Sequence, residues 1–409
     1  MRIWKAFTAE TVENAEEGHM AVTAEAVVIG GGVMGTSVLY NLTLRGVRAP
    51  VLLERDALGS GSTGRSSGLV RMHYSTVVNT HLAWESYRTF KSWDETIGGG
   101  DVAFVKTGFM AIVPQESVEG LRHNVAIQQS VGVDTSIVSR EEAQELAPAF
   151  HFEDDEAFAW EPESGHADPS GTAMAYAARA RELGATVVLE SPALDVEVRN
   201  GRVVAVTTAG ERYETPIAVV ATGPWSPRFL PKLGIDLPLE ATRHEVFMIR
   251  RPMDRVPFHP GGADMTNLTY FRPEGSDLTL VGNGNTEDVV DPDTYNPRPT
   301  MSHLEDVWLR LSKRLPDLAD GEFSSGYAGL YTSTPDLHPI VDGVDGIDGL
   351  YVCTGFSGHG FKLSPAVGIC MAELILDGEA RTVDISPLRL DRFARGELNT
   401  VTYKFKVIA

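Results

Sequence analysis

Cysteine is nearly absent: Cys353 and Cys370 are the two in 409 residues, both late in the chain and outside any CxxC pair. That is too few for a disulfide framework, so a reducing, cytoplasmic setting is the expectation. Cations are scarce too. Lys and Arg total 35 against 56 Asp and Glu, a net charge of −21, which would repel nucleic acid and an anionic membrane surface as partners. An anionic substrate would be repelled at long range as well, so a site for one needs local cations of its own. No apolar run reaches transmembrane length, and the N-terminus has no secretory apolar core. Internal repeats and low-complexity tracts are missing, and no metal site is expected. What remains is a globular chain, 43% hydrophobic and long enough for two domains.

The chain is organised around Ala26 to Glu54, AVVIGGGVMGTSVLYNLTLRGVRAPVLLE. An apolar run breaks into glycines, a helical pattern follows, and a second apolar run ends in an acid, which reads as the strand, phosphate loop, helix and strand of a dinucleotide-binding unit. Gly30 permits the tight turn, Gly32 lets backbone approach a pyrophosphate, and Gly35 lets the helix pack closely on the strand. Val33 and Met34 open that helix, whose N-terminus would face the phosphates. Glu54, followed by Arg55, stands where a carboxylate accepts hydrogen bonds from ribose hydroxyls. The stretch 1–23 is polar and acidic and reads as an extension outside the fold. Met20 is a candidate start, and Gly18-His19-Met20 is equally a candidate cloning remnant.

Further along, a Gly/Ser-rich loop, ALGSGSTGRSSGLVRMHYS, leaves the C-terminal end of a parallel strand, where open α/β sheets bind ligands. It contains Ser62, Thr63, Arg65, Ser66 and Arg71. Aromatic residues from Leu82 to Trp93 recur at helical spacing and read as core. Val102 to Val113 reads as β, and Ser117 to Ser130 as an amphipathic helix. Gly171 to Leu183 reads as a small-residue helix, and an Asn200-Gly201 turn joins two short strands. A strand then enters Ala221, Thr222, Gly223, Pro224 and Trp225, a pattern of moderate specificity for a cofactor-facing strand end. Strands and one helix follow from 245 to 315. Finally, the strand Leu350 to Thr354 enters a loop with Gly355, Gly358, His359, Gly360, Phe361 and Lys362, and a helix begins near Ser364 with Pro365 in its first turn. Lone histidines and lysines in such places are more often structural or solvated than functional.

Taken together, VVIGGGVMGTSVLYNL, the GSGST loop, VVATGPWS, AGLYTSTPD and GFSGHGFKLSPAVG resemble, in order, the D-amino acid oxidase superfamily of flavoproteins, in its sarcosine oxidase and glycine oxidase branch. The order and spacing are also similar to the catalytic β-subunits of archaeal proline dehydrogenases. The resemblance implies an α/β fold: a discontinuous Rossmann-type FAD-binding domain, with an α+β substrate domain whose sheet covers the flavin. On that basis 24–100, 155–240 and 335–395 are expected to form the FAD domain and 101–154 and 241–334 the substrate domain, with 396–409 a tail. It further implies that Arg71 and Lys362 hold a substrate carboxylate, a pairing that would fix a small anion and orient its α-carbon. Tyr331 and Tyr270 would line the pocket, while Ala193, Ala221, Gly223, Trp225, Gly329 and the Gly355–Lys362 loop would meet FAD.

The chain departs from that pattern in places. Relatives tether their flavin through a cysteine at the position of Gly329 or a histidine at that of Arg65, so non-covalent FAD is expected. A lysine associated with oxygen activation aligns with Thr279, which puts oxygen as acceptor in doubt. The expected activity is FAD-dependent oxidation of a small amino acid, foremost a secondary amine such as sarcosine or proline, by hydride transfer giving an imine. A primary amino acid, or a non-catalytic flavoprotein or electron-transfer subunit, stays open, as do an electron-acceptor partner and a homo-oligomer.

Overall fold

Val27–Ile29, Val51–Leu53 and Ala218–Val220 are wholly apolar and buried along their length, as central strands of a parallel sheet must be when both faces are covered. In the computed structural model, which describes residues 21–284, 287–400 and 402–403, they lie in a six-stranded sheet. Its order is Thr186–Val188, Val51–Leu53, Val27–Ile29, Ala218–Val220, Leu350–Thr354 and Ile340–Gly343, parallel except for the last pair. Alternating side chains feed two cores. Val28, Leu52 and Val219 pack under helices Val33–Leu44, Pro169–Glu182 and Ser364–Asp377, and Val27, Val51 and Val220 pack on the other side with Val196, Val206 and Phe229.

A second, eight-stranded sheet runs Glu322–Ser333, Glu240–Arg250, Leu278–Gly282, Thr269–Glu274, Gly261–Asp264, Phe109–Pro114, Glu156–Glu161, Ser136–Val138. Helix Met301–Arg314 covers one face, setting Leu304, Val307 and Leu311 against Phe247, Ile249 and Val281. The opposite face, with Val246, Tyr270, Leu280 and Tyr327, turns toward the Gly/Ser loop, where Leu69 joins its core. The mixed α/β fold thus follows the expected class.

Two boundaries differ from expectation. Glu156–Glu161 pairs with Phe109–Pro114 and so belongs to the large sheet, not to the segment beginning at 155 that was assigned to the first domain. Ala21–Thr23 pairs in parallel with Arg212–Glu214 in a four-stranded sheet, so these residues are part of the fold and not of an extension. The readings for residues 1–20 lie outside the described residues. The Asn200-Gly201 turn is present, with φ of 52° and 73°, as a two-residue hairpin with both central residues left-handed requires.

Candidate functional site

Ile29, Leu53, Ala221 and Thr354, at or just past the carboxyl ends of four parallel strands, border a cleft of about 640 Å³. Open α/β sheets place their ligands at such strand ends because the helix N-termini converge there. Helix Val33–Leu44 starts at Gly32 with no side-chain cap, so the positive end of its dipole opens on the cleft, which Gly32, Val33 and Met34 line. Gly30 has φ of 114°, and a Cβ there would lie 2.4 Å from the carbonyl oxygen of Ala221. At Gly35 a Cβ would lie 1.9 Å from the Gly30 carbonyl oxygen, which is the close helix-to-strand packing expected of it. Gly31, unassigned by the motif, is constrained by a side chain, because a Cβ would come within 2.9 Å of that of Glu54. The buried Glu54 carboxylate accepts from the N–H of Gly31 at 2.6 Å and of Asp56 at 2.8 Å, and faces the cleft.

The Gly/Ser loop forms one wall. Thr63 Oγ1 accepts from Val33 N–H at 3.0 Å, tying the loop to the helix start, and Ser62 Oγ donates to the Leu330 carbonyl at 2.7 Å, tying it to the large sheet. Arg65 and Ser66 line the cleft, with the Arg65 guanidinium bonded to the carbonyls of Ser60 and Gly61. On another wall, beside Ala193 and Gly223, Arg55 lies 3.8 Å over the Trp225 ring. Asp293, arriving from the segment after the strand Leu278–Gly282, accepts from Arg55 at 3.0 Å, from Trp225 Nε1 at 2.7 Å and from Arg228. Gly355, Gly358, Gly360 and Phe361 complete the lining. A Cβ at Gly358 would lie 2.3 Å from Tyr331 Cε2, so the Tyr331 ring rests directly on that loop.

Four expected cofactor contacts do not line this cleft: Gly35, Gly329, His359 and Lys362. Gly35 sits behind, against the strand, and Gly329 packs on Arg65, where a Cβ would be 2.9 Å from the arginine's own Cβ. His359 Nε2 donates to the Leu337 carbonyl at 2.8 Å, and its ring packs 5.4 Å from that of Tyr74, which is the structural role. Burial, then the neighbouring Lys362, holds its imidazole well below the ordinary range, so it is neutral. Tyr331 lines the cleft, and its hydroxyl lies 3.4 Å from that of Tyr270.

Arg71 and Lys362 meet in a second, buried polar cluster, one residue beyond Phe361. Both are 6% exposed, and they approach one ring, the Arg71 guanidinium at 4.8 Å and Lys362 Nζ at 5.8 Å from the centroid of Tyr74. Arg71 donates to the His73 carbonyl. Glu161, 1% exposed, accepts from Met72 N–H at 3.0 Å, from Ser164 Oγ at 2.5 Å and from Gln128. It therefore fixes the backbone next to Arg71. Burial raises the Glu161 carboxyl above its usual range against these hydrogen bonds and the Arg71 charge. His73 is pushed down to about 3 by burial, with Arg71 adding to the effect. Burial, then Arg71, pushes the Lys362 amine well below the ordinary lysine range, and Glu161 opposes it.

Sequence reading missed Glu161, Tyr74 and Tyr403. Tyr403, in a segment expected to be a free tail, is buried with its hydroxyl 2.7 Å from His73 Nε2. Tyr74 stands three residues from Arg71 without any motif to mark it, and long-range contacts alone bring Glu161 and Tyr403 to that segment. The Thr279 alignment needs correcting. That side chain shares strand parity with Val281 on the helix-covered face, and His259 Nε2 is 2.8 Å from its hydroxyl. Thr279 does not face the cleft, so it says nothing about oxygen.

The cleft therefore has the features a dinucleotide requires: a helix N-terminus for phosphate, a carboxylate for ribose, and glycines wherever a Cβ would collide with backbone. A family profile described as "FAD dependent oxidoreductase" matches residues 25–374. Among curated proteins, peroxisomal sarcosine oxidase of Mus musculus is 28% identical, covering 90% of this chain and 96% of that protein. The 4-methylaminobutanoate oxidase (formaldehyde-forming) of Paenarthrobacter nicotinovorans is also 28% identical over 92% of this chain, which spans only 46% of that longer protein. Among solved structures, L-proline dehydrogenase from P. horikoshii superposes with a TM-score of 0.85 at 29% identity, covering 93% of this chain and 100% of that one.

Proposed function

Since the chain belongs to the FAD-dependent oxidoreductase family, and is an FAD-dependent oxidoreductase of amino acids or amines, we propose that it oxidises a small amino acid bearing a secondary amine. The observation that carries this reading is the buried pair Arg71 and Lys362 beside the cleft, a guanidinium and an amine that can meet a carboxylate in a chain of net charge −21. Sarcosine, 4-methylaminobutanoate and L-proline, named for three relatives, are all carboxylates with a secondary amine. FAD, when bound, would supply the hydride acceptor for oxidising the C–H next to nitrogen to an imine.

The rest is positioning by this chain's own side chains. The helix start at Gly32 would hold the pyrophosphate, and Glu54 the ribose. Arg71 and Lys362 take the substrate carboxylate, with Glu161 fixing the backbone at Met72 and the His73 carbonyl accepting from the Arg71 guanidinium. Tyr331, on the cleft lining, and the buried Tyr270, whose hydroxyl lies 3.4 Å from it, would line the substrate pocket. The free, buried Cys353 and Cys370 support a reducing, cytoplasmic setting.

A panel of N-methylated, cyclic, primary and D-amino acids, read by anaerobic bleaching of bound flavin, tests the reading. A secondary amine should bleach it. Response to primary amines alone would move the substrate class, and response to none would favour an electron-transfer or binding role. With the substrate found, Arg71→Ala and Lys362→Ala should each cost about 2–5 kcal/mol of transition-state binding, roughly 30-fold or more in kcat/KM, with flavin content unchanged. Wild-type kinetics in either variant would remove that residue from the site.

A further inference from the structure

A secondary amino acid at neutral pH carries an ammonium nitrogen, and that nitrogen must lose its proton before its lone pair can expel a hydride from the neighbouring carbon. Among the described residues, the carboxylates on or beside the cleft are engaged, Asp56 by Arg55 at 3.2 Å. Glu54 is engaged by two backbone N–H groups, and Glu161 accepts from Met72, Ser164 and Gln128. Lys362 differs. Among the described residues no carboxylate lies within ion-pair distance of its Nζ, it is 6% exposed, and it shares the Tyr74 ring with a guanidinium that is always charged. An ammonium in that position bears both the desolvation cost and the repulsion of Arg71, and a buried amine so placed sheds its proton.

We propose that Lys362 is the proton acceptor for the substrate's ammonium group. It stands as a neutral amine until an amino acid enters, takes the proton from the substrate nitrogen, and then holds the carboxylate as a cation. The exchange balances within the site: one N–H bond breaks on the substrate, one forms at Nζ, and no proton crosses to solvent until the product leaves. The carboxylate itself makes the transfer favourable, because it supplies the negative partner that the lysine lacks. The groups facing this chemistry are Arg71, His73 and Tyr74 at the C-terminal end of the Gly/Ser loop, Glu161 on the large sheet, and His359 on the lysine's own loop. Tyr403 of the C-terminal segment and the Tyr270–Tyr331 pair complete the set. Burial holds the two histidines neutral and raises the phenols, so none of them competes for the proton.

This assignment rests on the reading that Arg71 and Lys362 bind the carboxylate, and calorimetry on FAD-loaded protein separates the two ideas. Binding is measured at about pH 8, between the ordinary histidine and lysine ranges, in two buffers of different ionisation heat, which counts protons taken up. The probes are acetate and cyclopentanecarboxylate, and then the amino acid from the bleaching panel added to protein whose flavin is already reduced, so that no turnover follows. The simple carboxylates should bind with uptake of close to one proton and the amino acid with close to none, whereas Lys362→Met should bind carboxylates more weakly and without uptake. Carboxylate binding without uptake in the wild type would show the lysine already charged and overturn the proposal while leaving the carboxylate site intact. Uptake of a proton with the amino acid would also overturn it, because the substrate would then have kept its own. Failure of every carboxylate to bind would remove the site and the proposal together.

Discussion

At position 329 a Cβ would sit 2.9 Å from the Cβ of Arg65, and these two residues close the seam between the Gly/Ser loop and the large sheet. They also occupy the positions where the resemblance places a tethering cysteine or histidine, and neither can form a bond to a flavin. A covalent link would need another nucleophile on the cleft. Cys353 is on its lining, but burial pushes that thiol up to about 12, so the reactive thiolate is scarce at neutral pH. FAD is therefore expected to be bound without a covalent link. Acid precipitation should release the yellow colour into the supernatant, and colour retained in the washed pellet would locate a tether that these residues do not supply.

The strand-to-helix elements were legible because their signals are local. Gly35 is fixed by a backbone collision within its own βαβ unit, and the Asn200-Gly201 turn by its left-handed φ values. The partnership of Glu156–Glu161 with the large sheet was not legible. An alternating strand fits any sheet edge, and its partner lies more than forty residues earlier in the chain. The same limit hid Glu161 beside Arg71, and it put Thr279 on the wrong face, since a shift of one residue reverses a strand side chain. It also hid the segment Asp291–Tyr295, an irregular stretch that crosses to the cleft wall. There Asp291 and Asp293 bind Arg228, and Asp293 also binds Arg55 and Trp225, while Pro292 and Tyr295 line the cleft itself. One exposed ion pair is worth little, but three donors sharing one aspartate form a network. Asp293→Ala should weaken this strap by about 1–2 kcal/mol and so speed FAD loss on dilution by roughly 5- to 30-fold, followed by the rise in free-flavin fluorescence. An unchanged release rate would mean that the strap lies on the cleft without holding it.

Across the whole molecule, the C-terminal segment is bound to the site region by one buried ion pair. Arg392 and Asp336 are each 1% exposed in their side chains, with Nε to Oδ2 at 2.8 Å. Asp336 also accepts from the N–H of His338 at 3.2 Å and of Asn399 at 3.1 Å. The adjacent Leu337 carbonyl receives His359, so the tie runs from residues 392–399 through 336–338 to the loop that carries Lys362. Burial alone would raise the Asp336 carboxyl, yet the Arg392 hydrogen bond and charge, with the two backbone donors, outweigh it and bring the value down from 3.8 to about 2. A carboxylate whose folded value is depressed stabilises above its unfolded value and loses that contribution as pH falls through the folded one, so the window here is about pH 4 down to 2 and the size about 2 kcal/mol. Asp336→Asn leaves Arg392 buried without its counter-charge and should cost about 3–5 kcal/mol at neutral pH. In urea unfolding, the gap between wild type and Asp336→Asn should hold steady down to about pH 4 and then narrow toward pH 2 as the wild-type carboxylate takes its proton. A gap that persists unchanged to the acid end would place the cost in packing, whereas one that is absent at neutral pH would mean that the pair does not bind the C-terminal segment to the fold.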